Sequence, residues 1–309
     1  MAPYPALPVL RFALELLPAL GLGLLLGRSF PWLPARLAGP LIQWGVPISL
    51  AGLLLRAGLR PGLLISGAMA LGGTVLGLLL LGNLPALRRS LPSGSLQLGS
   101  ITGNTAYWGL PVAVALLPAA AISHAITYDL VGTLITWTIG PLLVEGIPAR
   151  WGALFAALRT SPASRGLVVA LLVELTPWSQ EVATLLEWPA RIVLLVALAV
   201  VGMRLGVMLR QPRPPAPSRV GAALAIKLVL FPALMLAAVL ALALPPLVRE
   251  AVVLQAAAPT AISVLLLAEA TPGAADAEGA AALVLGSTLL ALATVPLWWA
   301  VLAAVAGPG

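Results

Sequence analysis

Charge is what this sequence has least of. Asp, Glu, Lys and Arg make up 9% of the 309 residues and 61% are hydrophobic, where a soluble domain carries about 25% charged residues. So few charges cannot coat a water-facing surface of this size, which argues against a soluble enzyme, a disordered tail or a nucleic-acid module. Cysteine is absent, which removes disulfides, thiolate nucleophiles and Cys metal sites. A single histidine, His124, and no HExxH leave no basis for a catalytic metal centre, and no cofactor is expected. Runs such as that starting at Ile192 do not alternate apolar with polar, as a membrane β-barrel would. The N-terminus lacks the basic region and small-residue cleavage site of a signal peptide, so its first apolar stretch is expected to be a mature helix.

What is present is a series of apolar runs, each about the 20 residues that a membrane helix needs. The expected fold is all-α: ten transmembrane helices at about 9–27, 38–56, 62–82, 95–117, 122–146, 165–178, 183–206, 220–243, 248–269 and 280–305. Polar linkers are expected at 147–164 and 207–219, the second too rich in proline to be helical throughout. With ten spans the loops alternate sides. Eleven arginines (28, 36, 88, 89, 150, 159, 165, 204, 210, 213 and 219) fall on one side and four (11, 56, 60 and 249) on the other. The positive-inside rule puts the first side in the cytoplasm and both termini outside. The net charge of +7 is therefore read as topology rather than as a phosphate-binding face.

A weak internal repeat relates the halves. A shift of 144 aligns Leu41, Trp44, Ile48, Leu50, Leu54 and Gly58 with Leu185, Trp188, Ile192, Leu194, Leu198 and Gly202. It equates the second span with the seventh, as two five-helix halves require, and an odd number of spans inverts the second half. Inverted repeats are common in secondary transporters.

The fourth span of each half is interrupted. Gly103, Asn104 and Thr105 sit in the middle of one, with Gly109 and Pro111 following; Gln255 and Pro259 sit in the middle of the other. Proline removes a donor and glycine weakens a helix. The freed backbone groups survive in a membrane only when buried in protein or lining a wet cavity. Paired breaks at corresponding places are the best sequence pointer to a transport site, although a plain proline kink is the simpler reading of either one alone.

These residues resemble a known family. Asn104–Thr105 followed by Gly109 and Pro111 has the N-T-x3-G-x-P spacing of the auxin efflux carriers. Gln255–Ala256–Ala257, Pro259, Ile262 and Ala268 are similar to that family's ninth helix. The eighth-span segment with Lys227 and Pro232, and the closing STLLALATVPL, look like its bacterial members. Plant members carry proline where this chain has Gly103, and their long central loop is reduced here to about 18 residues. The resemblance implies two inverted five-helix repeats with broken, crossing helices 4 and 9. It further implies a dimerising scaffold (1–60 and 165–206), cytoplasmic linkers (148–164 and 207–219) and a moving transport domain (61–147 and 220–309). By resemblance Asn104 and Gln255 contact or frame the substrate and Pro259 shapes the crossing. Thr105, Tyr107, Thr260 and Ser263 join them by position alone, and Gly103, Pro111 and Pro259 make the breaks. Half-helix N-termini, each worth about +0.5 charge, can hold a carboxylate without a fixed arginine.

Ionisable groups within spans are functional candidates by default. Lys227 either supports charge at the site or snorkels to the cytoplasmic interface. Asp129 either carries a coupling proton or belongs, with Tyr128 and His124, to an outer-interface cluster. Arg11 with Glu15, and Glu187 with Arg191, are spaced as helical ion pairs. Trp298–Trp299 fit an aromatic belt. The third span contains no acid or base, so the family's charged support there has no counterpart. The expected function is secondary transport of small organic anions, auxin-like or dicarboxylate, by an elevator motion. The alternative is a sodium-coupled symporter of the bile-acid type. An intramembrane enzyme fits less well, because the acids are scattered and no GxSxG occurs. The expected partners are the anion, the lipid bilayer and a second copy of the chain, with no nucleic acid. The expected location is a bacterial inner membrane.

Overall fold

The computed structural model describes residues 6–58, 61–146, 151–210, 220–271 and 276–306. The described residues are mostly helical: α1 (Ala6–Ser29), α2 (Leu33–Pro40), α3 (Val46–Ala57), α4 (Leu64–Asn83), α5 (Pro85–Ser90), α6 (Gly94–Ile101), α7 (Leu110–Leu116) and α8 (Ala119–Glu145). There follow α9 (Trp151–Thr160), α10 (Pro162–Glu174), α11 (Ser179–Leu209), α12 (Gly221–Ala225), α13 (Phe231–Ala241), α14 (Pro246–Ala256), α15 (Ile262–Ala270) and α16 (Ala277–Ala306). Six helical stretches among the described residues are long and apolar enough to cross a membrane: Leu33–Arg56, Leu64–Asn83, Ala119–Glu145, Ser179–Leu209, Gly221–Ala241 and Ala277–Val305. Shorter apolar helices run over Leu17–Ser29 and Thr105–Leu116. Exposed Leu64, Leu185, Trp188 and Leu297 present an apolar exterior suited to lipid.

The linker expected at 148–164 contains α9, and its residues 147–150 lie outside the described ones. Residues 211–219 of the second linker, and the side chains of Arg11 and Glu15, also lie outside them.

Three π-helical turns, Leu41–Gly45, Thr105–Gly109 and Ile226–Leu230, each lead into a helix with proline in its first turn: Pro47, Pro111 and Pro232. A proline ring collides with the carbonyl four residues back and cannot donate to it. Widening the preceding turn relieves the collision. At Pro232 that carbonyl belongs to Leu228, and it accepts a hydrogen bond from Trp298 Nε1 at 2.8 Å. This replaces the belt reading for Trp298: its indole ties α16 to the π turn.

Close approach of backbones sets the packing of α1 on α11. A Cβ at Gly23 or Gly27 would run into the backbone of Ala199 or Met203, and one at Gly202 or Gly206 into that of Leu20 or Leu24. Glycines four apart on both helices are the small-residue contact that membrane helices use. α11 also packs on α3, where Arg56 Nη1 meets Glu187 Oε1 at 2.6 Å. The expected Glu187–Arg191 pair is present at 3.4 Å on the same carboxylate. On the other side α8 packs against α4, α14 and α15.

Candidate functional site

The two interruptions meet. Between α6 and the turn at Thr105, Thr102 adopts extended backbone, and so does Ala261 before α15. Asn104 N–H donates to the Pro259 carbonyl at 2.7 Å, Ala261 N–H donates to the Thr102 carbonyl at 3.3 Å, and Gly103 and Thr260 form an antiparallel bridge. Each break thus supplies the backbone partners that the other lost. Gly103 sits close to the opposite break: a Cβ there would lie 3.2 Å from Thr105 Cγ2 and 3.4 Å from both Ala258 Cβ and the Gln255 carbonyl, a tight but not forbidding fit.

Thr260 is wholly buried. Its N–H donates to Ser287 Oγ at 3.0 Å and its hydroxyl donates to the Gly99 carbonyl at 2.9 Å. Pro111 lies in the first turn of α7.

A cavity of about 80 Å³ opens beside the paired breaks. One water needs about 10–15 Å³ on this measure, so there is room for several waters or a small organic molecule. One wall consists of the first turns of two half-helices, Thr105–Ala106–Tyr107 and Ala261–Ile262–Ser263, with Gly103 and Asn104. First-turn amides have no acceptor within their own helix. Asn104 Nδ2 and Tyr107 Oη are buried without a hydrogen-bond partner. Ile42, Val46, Leu50, Leu53 and Leu194 make the opposite, largely apolar wall, with the Ser49 hydroxyl donating to the Gly45 carbonyl at 2.8 Å. Asp129, Thr133 and Thr136 complete the lining from α8.

Asp129 is buried, 4% exposed, and this overturns the outer-interface reading. Its Oδ1 accepts from Thr105 Oγ1 at 2.6 Å and from Thr133 Oγ1 at 3.3 Å. His124 does not join it; Nδ1 lies 2.9 Å from Ser66 Oγ on α4. The spacing of Asp129, Thr133 and Thr136 on one helical face was the sequence signal for this lining, and reading Asp129 with its immediate neighbours passed over it.

Lys227 does not snorkel. It is fully buried, and its Nζ donates to the Ala256 carbonyl at 2.8 Å, at the C-terminal end of α14, 5.1 Å from the centre of the Phe231 ring. Positive charge belongs at that end of a helix. A second cavity of about 10 Å³, roughly one water, is lined by Lys227, Gln255, Thr105, Thr136 and Thr74. Gln255 lines this smaller cavity rather than the larger one, and its Nε2 donates to the Ala125 carbonyl at 3.0 Å. Thr105, Tyr107, Asn104 and Ser263 are therefore gathered on the larger cavity, while Gln255 and Lys227 lie across the break. Among the described residues no cluster of three or more His, Cys, Asp or Glu could hold a metal ion.

Residues 153–299 match the model of a family described as membrane transport protein, the auxin efflux carrier family. The match covers just under half of the chain. It includes Lys227, Gln255, Pro259 and α15, and begins after Asn104 and Asp129. No curated protein matches the chain. A transporter-family match over these helices, together with the six apolar stretches, describes an integral membrane protein of the transport class.

Proposed function

We propose that this chain is a secondary transporter of small organic anions, bound where the two broken helices meet. The observation that carries the reading is the cavity wall made by the first turns at Thr105 and Ile262, with the unpartnered Asn104 Nδ2 between them. Two helix N-termini attract an anion by dipole and by free N–H donors. The opposite wall is largely apolar, and its Ser49 hydroxyl is engaged with the Gly45 carbonyl, which favours a single carboxylate on an apolar body over a dicarboxylate. The fold we infer has ten helices in two inverted halves, with broken helices α6–α7 and α14–α15 crossing at Gly103 and Thr260. α1–α3 and α10–α11 form the scaffold, α9 belongs to the linker between the halves, and α4–α8 with α12–α16 move as the transport domain, in a homodimer joined through the scaffold. The eleven-to-four arginine asymmetry supports cytoplasmic linkers in a bacterial inner membrane.

Binding is tested by thermal unfolding of the purified protein with benzoate, indole-3-acetate and malate. A ligand at about 100 times its Kd stabilises by about 2.7 kcal/mol. One of the aromatic carboxylates should raise the midpoint of the native protein and fail to raise that of a folded Asn104→Ala variant. An equal rise in the variant would remove Asn104 from the site.

A further inference from the structure

Asp129 lines the larger cavity alongside the half-helix N-termini, yet among the described residues no cationic side chain lines that cavity. An anion entering beside an ionised carboxylate would place two negative charges in one poorly solvated pocket, which is strongly unfavourable. We propose that Asp129 takes up one proton with each anion, so that the carrier moves anion and proton together. This rests on the anion reading above.

The charge count supports it. Lys227 and an ionised Asp129 flank the break and balance each other. Adding an anion leaves one uncompensated negative charge, and protonating Asp129 restores neutrality, with Lys227 as the remaining countercharge. The proton comes from water on the side where the anion enters, resides on the carboxylate, and leaves to water on the other side. No bond other than O–H forms or breaks. Both hydrogen bonds to Asp129 end on Oδ1, and Oδ2 accepts none from the described residues, which leaves it to take the proton.

Among the described residues Asp129 is the one carboxylate on the cavity. Tyr107 shares the cavity and Tyr128 adjoins Asp129 on α8. His124, a turn further along, is engaged with Ser66. α4, α6 and α7 contain no charged residue. Arg56 of α3 is paired with Glu187. Arg249 and Glu250 lie early in α14, away from Gln255, and Lys227 lies across the break. Arg159 of α9, Arg165 and Glu174 of α10 and Glu145 at the end of α8 do not line the cavity. A sodium ion would need several oxygens converging with their lone pairs, whereas the Thr105 and Thr133 hydroxyls already point their protons at Asp129.

The test is the affinity of the purified protein for benzoate and for benzenesulfonate, both ionised between about pH 6 and 9, read by thermal shift and by tryptophan fluorescence. In the native protein, affinity for whichever probe binds should fall about tenfold per pH unit on the alkaline side, as uptake of one proton requires. Asp129→Asn should lose that slope and bind more tightly than the native protein at the alkaline end. Independently of any variant, adding the probe to native protein in weak buffer with a pH indicator should remove one proton from solution per anion bound. PH-independent native binding without proton uptake, or affinity set by sodium at fixed pH, overturns the role of Asp129 and leaves the anion reading standing. Absence of binding by every carboxylate and sulfonate at every pH overturns the anion reading itself.

Discussion

Pro232 shows how one residue imposes a chain of consequences. It cannot donate to Leu228, so the turn before it widens, Lys227 is carried on that turn, and the Leu228 carbonyl needs another donor. Trp298 supplies it. Trp298→Phe keeps the ring packing and removes the donor. The Leu228 carbonyl is then left unpaired in a non-aqueous setting, at a cost of about 1 kcal/mol. Thermal unfolding in detergent should show the loss, and an unchanged midpoint would mean that the carbonyl finds another partner. Lys227 and Asp129 mark the edge of what residue-level reading can do. Their burial in membrane was suggested by position along a span, but a single span gives depth only along its own axis. Whether a charge faces lipid, water or another helix depends on neighbours on other helices, such as Ala256, 29 residues on from Lys227.

At the level of elements, the interruptions were legible because proline, glycine and asparagine act locally on a helix. Their crossing was expected only from the family resemblance, because the pairing runs through main-chain bonds such as Asn104 N–H to the Pro259 carbonyl, which leave no side-chain pattern. The α1–α11 contact had a sequence signal of its own, glycines four apart at 23 and 27 and at 202 and 206, hidden among 30 glycines of which several face open space. The distinction is testable. Gly202→Ala places a methyl against the Leu20 backbone, which cannot swing aside as a side chain would, so the helices must separate at a cost of about 1–3 kcal/mol. Gly21→Ala on α1 meets nothing within 4 Å and gains helix propensity of about 0.5–1 kcal/mol. The two variants should move the unfolding midpoint in opposite directions. A shared direction would mean that propensity, rather than backbone contact, governs both positions.

For the whole molecule, the decisive feature is where the cavity lies. Leu53 and Leu194 on one wall belong to the helices we assign to the scaffold, while Tyr107, Asp129 and Ser263 belong to those we assign to the transport domain. A carrier whose domains slide past each other must break the facing of these walls in every cycle, whereas a channel-like path or a static receptor need not. The cysteine-free chain allows a clean test. Leu194→Cys and Ser263→Cys, joined by a short bifunctional methanethiosulfonate, should stop benzoate exchange in proteoliposomes, and a reducing agent should restore it. The unbridged double variant sets the rate against which the bridge is read, and neither single variant should respond to the reagent as the bridged pair does. A monofunctional reagent of equal bulk on both cysteines controls for simple filling of the cavity and should slow exchange less than the bridge does. Full exchange with the bridge in place would mean that the two walls stay together throughout transport, and the sliding motion would then have to be abandoned.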